Sequence, residues 1–322
     1  MLQDTIVIAR AGGPEVLTPA RRPVPEPGRG QVLIRVRAAG VNRHDCGQRA
    51  RGPNNHESDI PGLEVAGVVQ AVGDEVVGLE PGTEVCALIN GGGYAQYALA
   101  EAPLVMPMPA GFSDEEAAGV PEVAFTTWYN MFFVATLKPG GRVLIHGGTS
   151  GVGVFAIQLL TALGHPVYAT CGTPEKVDLA TQLGARHAFN YRSEDFAAQL
   201  KADGVAIDAV LDMSGGRYMA QNLDVLAYGG HIVHLTTGTA AATPVPLGAV
   251  MQKEARVTGS RLRPLPLARK IEVALALKSV AWPLLGNRIR PLVHRVFPLA
   301  QAADAHRYLE SGDSFGKLIL KP

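Results

Sequence analysis

The stretch VLIHGGTSGVG, residues 143–153, is a short apolar run followed by glycines around a Thr-Ser pair. It opens directly onto VFAIQLL, an apolar helix pattern. A buried strand feeding a glycine-rich turn and then a helix is how a parallel α/β sheet builds a dinucleotide phosphate site. The turn lets a pyrophosphate approach the backbone, and the helix start offers N–H groups and the positive end of the helix dipole. Gly148-Thr149-Ser150-Gly151-Val152-Gly153 fits G-x-G-x-x-G except that Ser150 stands at the middle glycine. Two competing patterns fail. Val152 occupies the last glycine of G-x-S-x-G, and no Lys follows as in a G-x-x-x-x-G-K phosphate loop.

Downstream, strand and helix patterns alternate. PVYATC (166–171), HAFNY (187–191), AIDAVLDMS (206–214), HIVHLTT (231–237) and ARVTGS (255–260) read as strands, and PEKVDLATQLGA (174–185), EDFAAQLKA (194–202) and a segment near 217–227 as helices. This alternation predicts a doubly wound parallel sheet. An NAD site usually carries Asp or Glu at the end of the second strand to bind the ribose 2′-OH. Here that strand ends Thr170-Cys171-Gly172-Thr173, without an acid. A carboxylate would repel a 2′-phosphate, so its absence permits NADP, and Lys176 can supply the positive charge, although a single helix lysine is ordinarily just solvated. Tyr191 either covers an adenine or simply packs.

Upstream, residues 1–110 have another texture. Short runs such as TIVIA (5–9), QVLIRVRAAG (31–40), LEVAGVVQAVG (63–73), TEVCALI (83–89) and YAQYALA (94–100) are punctuated by Pro-Gly pairs, the pattern of a β sandwich or barrel. Ser113 with Glu116 predicts a helix start, and EEAAGVPEVAFTTWYNMFFVAT reads as helical around Pro121. The tail, about 266–322, shows an amphipathic helix (267–280), HRVFPL, a helix AQAADAHRYLE and a strand GKLIL. That last strand can extend the nucleotide sheet or return to the β-rich part.

Composition narrows the function classes. The 322 residues are 47% apolar, and 29 Lys+Arg balance 29 Asp+Glu, so no basic face is expected for nucleic acid or an anionic membrane. Cys46, Cys86 and Cys171 are too widely spaced for a disulfide framework or a structural zinc pair. MLQDTIVIAR lacks a signal-peptide pattern, and no apolar run reaches membrane-spanning length, so the expectation is a cytoplasmic protein.

Several stretches together resemble the zinc-free quinone oxidoreductase branch of the medium-chain dehydrogenase/reductase superfamily. They are AAGVNRHDCGQRARG (38–52), PGLEVAGVV (61–69), GGGYAQYALA (91–100), PEVAFTTWYNMF (121–132), LIHGGTSGVGVFAIQL (144–159), FNYRSEDF (189–196) and AADAHRYLESGDSFGKLIL at the end. Within that branch the chain looks most like the p53-inducible quinone oxidoreductase subgroup. The resemblance implies a GroES-like β-rich catalytic domain, 1–121 completed by 266–322, and a Rossmann NADP-binding domain, 122–265. It implies NADPH as cofactor, a small-molecule quinone as substrate, and a homodimer. Zinc members of the superfamily carry Cys and His where this chain has Asn42 and Leu63, which cannot ligate in that way, so no metal is expected. His44 and Cys46 read as a solvated imidazole and a loop thiol.

The resemblance further maps the nicotinamide neighbourhood to Asn42, Asp45, Thr126, Gly238 and Ser260-Arg261-Leu262. Asn42 would bond a quinone oxygen or the ribose, Asp45 would orient its loop or deliver a proton, and Thr126 would bond the carboxamide. Asn42 and Asp45 can equally be Asx-turn residues and Thr126 a packing hydroxyl. One departure stands out. The loop ARGPNNHESDIPG (50–62) lacks the tyrosines common in this branch, leaving Asn54, Asn55 and His56 there, with Tyr129 or Trp282 as other sources of substrate packing. The expected reaction is hydride transfer from NADPH to a quinone. Reduction of an activated C=C bond, or NADPH binding with little turnover, are the alternatives.

Overall fold

The computed structural model describes residues 1–54, 58–238 and 242–322, and the chain divides into two compact units, Met1–Val123 with Pro266–Pro322, and Ala124–Leu265. The first unit begins with an antiparallel pair, β1 (Leu2–Ile8) and β2 (Leu17–Pro23). It continues with β3 (Gln31–Val41), α1 (Arg43–Arg51), β4 (Glu64–Val72), β5 (Glu84–Leu88), β6 (Tyr97–Glu101), β7 (Val105–Pro107) and α2 (Asp114–Ala118). α1 corrects the expectation of a loop after Asn42. RHDCGQRAR carries no apolar stripe, so periodicity does not reveal it. Its inward face is instead polar, burying Asp45, Gln48 and Arg49 beside Cys46. Cys46 is thus a buried helix thiol, and burial pushes its pKa up to about 12.

α2 starts as predicted, with the Ser113 hydroxyl accepting from the Glu116 N–H and the Glu116 carboxylate accepting from the Ser113 N–H. After α3 (Pro121–Trp128) the helix widens into a π-type turn over Tyr129–Val134. The second unit then alternates: β8 (Val143–His146), α4 (Gly151–Ala162), β9 (Val167–Cys171), α5 (Pro174–Gln182), β10 (His187–Asn190), α6 (Phe196–Ala202), β11 (Ile207–Asp212), α7 (Met219–Val225), β12 (Leu226–His234), α8 (Leu247–Lys253) and β13 (Arg256–Gly259). Its six strands are all parallel, in the order β10-β9-β8-β11-β12-β13. Both faces are covered, which is why the strands read as continuous apolar runs. On β8, Val143 and Ile145 pack with Ile157 and Leu160, while Leu144 faces Phe189, Phe196 and Leu223.

The chain then returns to the first unit through α9 (Leu267–Ala276), β14 (Val293–Pro298), α10 (Ala302–Ser311) and β15 (Lys317–Lys321). β15 pairs antiparallel with β3, Leu318 opposite Val41 and Leu320 opposite Ala39, so the last strand joins the β-rich sheet and not the parallel one. That sheet runs β14-β15-β3-β4-β5-β7, with β6 also on β3. Its core gathers Val32, Ile34, Val65, Val85 and Tyr94 with Leu318 and Leu320. The architecture is a GroES-like β domain and a Rossmann-type parallel sheet.

Candidate functional site

In the parallel-sheet unit the turn after β8 is built by backbone. The N–H groups of Gly147 and Gly148 both donate to the Thr170 carbonyl, at 3.1 and 3.0 Å, pinning the turn to the end of β9. Gly147 holds φ of +81°, a left-handed value that favours glycine. Gly153 lies so close to the Gly147 carbonyl and the Gly148 backbone that a Cβ there would overlap them. A Cβ on Gly148 would stand 2.7 Å from that of Ala169. Ser150, the residue at the variant glycine position, is the N-cap of α4, its hydroxyl accepting from the Gly153 N–H at 3.0 Å. Gly151 and Val152 open the helix, so their N–H groups are among those the first turn leaves without intrahelical partners. Thr149 is buried within the turn.

β9 ends beside this turn with no acid. Thr170 and Cys171 are buried, Gly172 follows, and Thr173 caps α5 by accepting from the Lys176 N–H at 3.3 Å. Burial raises the Cys171 thiol to about 11, so it stays protonated. Tyr191, just beyond β10, donates its N–H to the Cys171 carbonyl at 3.0 Å and brings its hydroxyl against Gly172, where a Cβ would sit 2.6 Å from that oxygen. Gly172, Thr173, Lys176 and Tyr191 therefore share one corner at the carboxyl ends of the strands, where open parallel sheets bind nucleotides.

At the end of β11, buried Asp212 accepts from the N–H groups of Ser214 (2.6 Å) and Gly215 (3.1 Å). This arrests the loop so that Gly215 meets Gly238 back to back, both at positive φ. Thr126 and Ser260 are joined through a residue the sequence reading missed. The Asn130 carboxamide donates to the Thr126 carbonyl at 2.7 Å and accepts from the Ser260 hydroxyl at 2.5 Å. Thr126 and Asn130 are four apart on one helix face, and that spacing was the available signal. Leu262 is buried two residues after Ser260.

In the β-rich unit Asn42 is the N-cap position of α1. Its N–H donates to Asp45 Oδ2 at 2.8 Å. Its side chain is held at both ends, Nδ2 donating to Glu64 Oε1 (2.9 Å) and Oδ1 accepting from Lys317 Nζ (2.8 Å). Lys317 and Glu64 form a buried ion pair at 2.5 Å, and the other Glu64 oxygen accepts from the Glu122 N–H at 2.9 Å. Glu64 and Lys317 were visible in PGLEVAG and GKLIL, but only the β15–β3 pairing brings them together. Asp45 is fully buried. Burial first, opposed by the Asn42 N–H and the Tyr94 hydroxyl, raises its pKa to about 7. Behind it runs a chain whose direction is fixed by Arg49, which can only donate. Arg49 bonds His306 Nδ1 at 3.2 Å, so His306 Nε2–H faces the Tyr94 oxygen at 3.0 Å, and the Tyr94 hydroxyl donates to Asp45 Oδ2 at 3.1 Å. Burial, then the Arg49 charge, lowers the His306 pKa to about 3, consistent with a neutral ring.

Asn55 and His56, in the tyrosine-free loop, lie outside the described residues. Trp282 uses its indole N–H on the Pro107 carbonyl at 2.9 Å, and Tyr129 stands half-buried beside Phe133 at 6.2 Å. Leu63 is buried, and among the described residues no three His, Cys, Asp or Glu side chains gather as metal ligands. Among them, too, no helix is long and apolar enough to cross a membrane.

Comparison with known proteins places both units. Residues 28–110 match the alcohol dehydrogenase GroES-like domain and residues 151–277 the zinc-binding dehydrogenase domain, which defines an oxidoreductase of the medium-chain dehydrogenase/reductase type. The chain is 32% identical over 330 residues to a quinone oxidoreductase of Sus scrofa, covering 99% of this chain and 98% of that protein. The crystal structure of Escherichia coli quinone oxidoreductase complexed with NADPH superposes with a TM-score of 0.87 at 29% identity, covering the whole of both chains. A mycocerosic acid synthase-like polyketide synthase of Mycobacterium tuberculosis contains a segment 31% identical over 315 residues, 91% of this chain and 14% of that protein. The chain belongs to the quinone oxidoreductase branch of the medium-chain dehydrogenase/reductase superfamily.

Proposed function

We propose that this protein is an NADPH-dependent, zinc-independent quinone reductase. The observation that carries the cofactor reading is the corner at the end of β9, where a glycine turn without Cβ atoms adjoins a strand end without an acid and a helix carrying Lys176. The NADPH complex of the Escherichia coli relative supports it. In this reading the backbone of Gly148, Thr149, Ser150, Gly151, Val152 and Gly153 receives the pyrophosphate. Gly172, Thr173, Lys176 and Tyr191 receive the adenosine end, and Gly238, Ser260 and Leu262 the nicotinamide end.

NADPH, when bound, supplies a hydride. One quinone, one NADPH and one proton then balance to one hydroquinone and one NADP. Quinones accept hydride readily because the product gains aromaticity, so the protein's contribution is alignment and exclusion of water. Thr126, steadied through Asn130 and Ser260, positions the carboxamide. Asn42, clamped by Glu64 and Lys317, presents a rigid carboxamide to the acceptor. Asp45, buried and accepting from the Asn42 N–H and the Tyr94 hydroxyl, orients the segment that carries Asn42, and the proton comes from solvent. The chain acts on a small molecule, in the cytoplasm, as a homodimer.

A second reading, reduction of an activated C=C bond, is supported by the likeness to a segment of a polyketide synthase. Steady-state oxidation of NADPH with 1,2-naphthoquinone and with an α,β-unsaturated ketone separates the two. The quinone reading expects the quinone to win in kcat/KM by at least about tenfold, a difference of ~1.4 kcal/mol in transition-state stabilisation. Preference for the enone would replace it. Negligible NADPH oxidation with either acceptor would leave only a binding protein.

A further inference from the structure

Arg217 lies in the loop after β11, and its guanidinium is placed over two aromatic rings at once. It stands 5.5 Å from the centroid of Tyr191 and 5.1 Å from that of Tyr218. Tyr218 is buried, stacked on His146 with centroids 4.8 Å apart and edge-on to Phe196 at 5.5 Å, so this ring is anchored in the core. Tyr191 is the ring whose hydroxyl abuts Gly172, the residue that follows β9. The two rings therefore hold the guanidinium at the corner where Thr173 and Lys176 begin α5. The side chain is exposed, and among the described residues no carboxylate lies within ion-pairing distance of it.

A guanidinium ordered by aromatic faces and not consumed by an acid suits a phosphate. Stacking leaves its edge N–H groups directed outward, and the fork matches phosphate oxygens two at a time. Where a strand-end acid selects NAD, a nearby arginine accommodates the 2′-phosphate of NADP. The pairing is hidden in the sequence because Arg217 comes from a different strand end than Lys176, 41 positions away.

We infer that Arg217, presented by Tyr191 and Tyr218, binds the 2′-phosphate of NADPH and, with Lys176, sets the preference for NADPH over NADH. This rests on the cofactor reading proposed above.

The test titrates the full-length protein with NADPH and with NADH by cofactor fluorescence, for the wild type and for Arg217→Gln, Arg217→Lys and Lys176→Ala. Competition by adenosine 2′-monophosphate and by adenosine 5′-monophosphate isolates the phosphate. Thermal melts check that each variant is folded. The inference expects Arg217→Gln to weaken NADPH at least about tenfold while NADH stays within about twofold, with Arg217→Lys intermediate because it keeps charge without the fork. The advantage of the 2′-monophosphate over the 5′-monophosphate should shrink in parallel. A wild type that prefers NADPH and keeps the full preference in Arg217→Gln overturns the inference alone. Equal weakening of both cofactors also overturns it and assigns Arg217 to stacking on the adenine. A wild type without preference overturns the cofactor reading itself, and this inference with it.

Discussion

Burial makes the charge of Asp45 costly, and that has a measurable consequence. Its carboxyl has a pKa of about 7 in the folded protein against 3.8 for an exposed aspartate, chiefly because no water reaches it. Between about pH 4 and 7 the unfolded chain has released this proton while the folded chain still holds it, so the folded state is progressively disfavoured as pH rises. The stabilisation is complete below about pH 4 and lost by about pH 7, amounting to at most about 4 kcal/mol. Glu122, raised to about 8 by burial and then by the Glu64 charge, adds a contribution of the same sign extending to higher pH. Asp45→Asn is expected to reduce the slope of the stability profile between pH 4 and 7 to the part due to Glu122. Urea unfolding at a series of pH values checks this. Oδ1 of Asp45 has no hydrogen-bond partner among the described residues, so the new amide can occupy its place while the other oxygen keeps the Asn42 and Tyr94 bonds.

At the scale of elements, β15 is fastened to β3 and β4 by one buried ion pair as well as by its ladder. Lys317 Nζ bonds the Val41 carbonyl, the Asn42 carboxamide and Glu64 together. Removing one partner of such a pair strands a buried charge, so Lys317→Met alone is expected to cost about 3–5 kcal/mol. Lys317→Met with Glu64→Gln should recover more than half of that loss. A double-mutant cycle read by denaturant midpoints measures the difference. This pair also shows what the sequence could and could not convey. The β8–turn–α4 unit was readable because its chemistry is local: a strand, glycines needed by the backbone, a capping serine and a helix lie within twenty residues. The alternation of strands and helices followed from the same periodicities. α1 was not readable, because what holds it is distant. Gln48 donates to the Ser58 carbonyl, while Arg49 reaches the Gly12 carbonyl and Glu310, the latter 261 positions away. Likewise the Ser260–Asn130 bond, spanning 130 positions, and the Tyr191–Arg217 contact exist only once the sheet has assembled. The β8–turn–α4 geometry was thus legible in the sequence, and the clamps around Asn42 and Thr126 were not.

For the molecule as a whole, the two units differ in how the chain supplies them. Every strand of the parallel sheet lies between Val143 and Gly259, a single run of chain, whereas the β-rich sheet needs β14 and β15 from the end. A chain lacking residues 314–322 loses the strand between β14 and β3 along with Lys317. Limited proteolysis of that truncation is expected to leave a protected fragment close to Ala124–Leu265 while the remainder is digested. Uniform protection of both units would contradict the dependence on β15. The same arrangement imposes a timetable during synthesis. Val41 emerges 276 positions before Lys317, a delay of roughly 15–55 s at ribosomal speeds of about 5–20 residues per second. Throughout that interval β3 lacks its β15 partner over Ala39–Val41, while β6 already pairs its Gln31–Arg35 part. The parallel-sheet unit meanwhile has all its strands and is free to fold first. The late arrival of nine residues therefore decides when the β-rich sheet closes, and the open Ala39–Val41 edge of β3 is the surface on which chaperone engagement or misassembly during translation would fall.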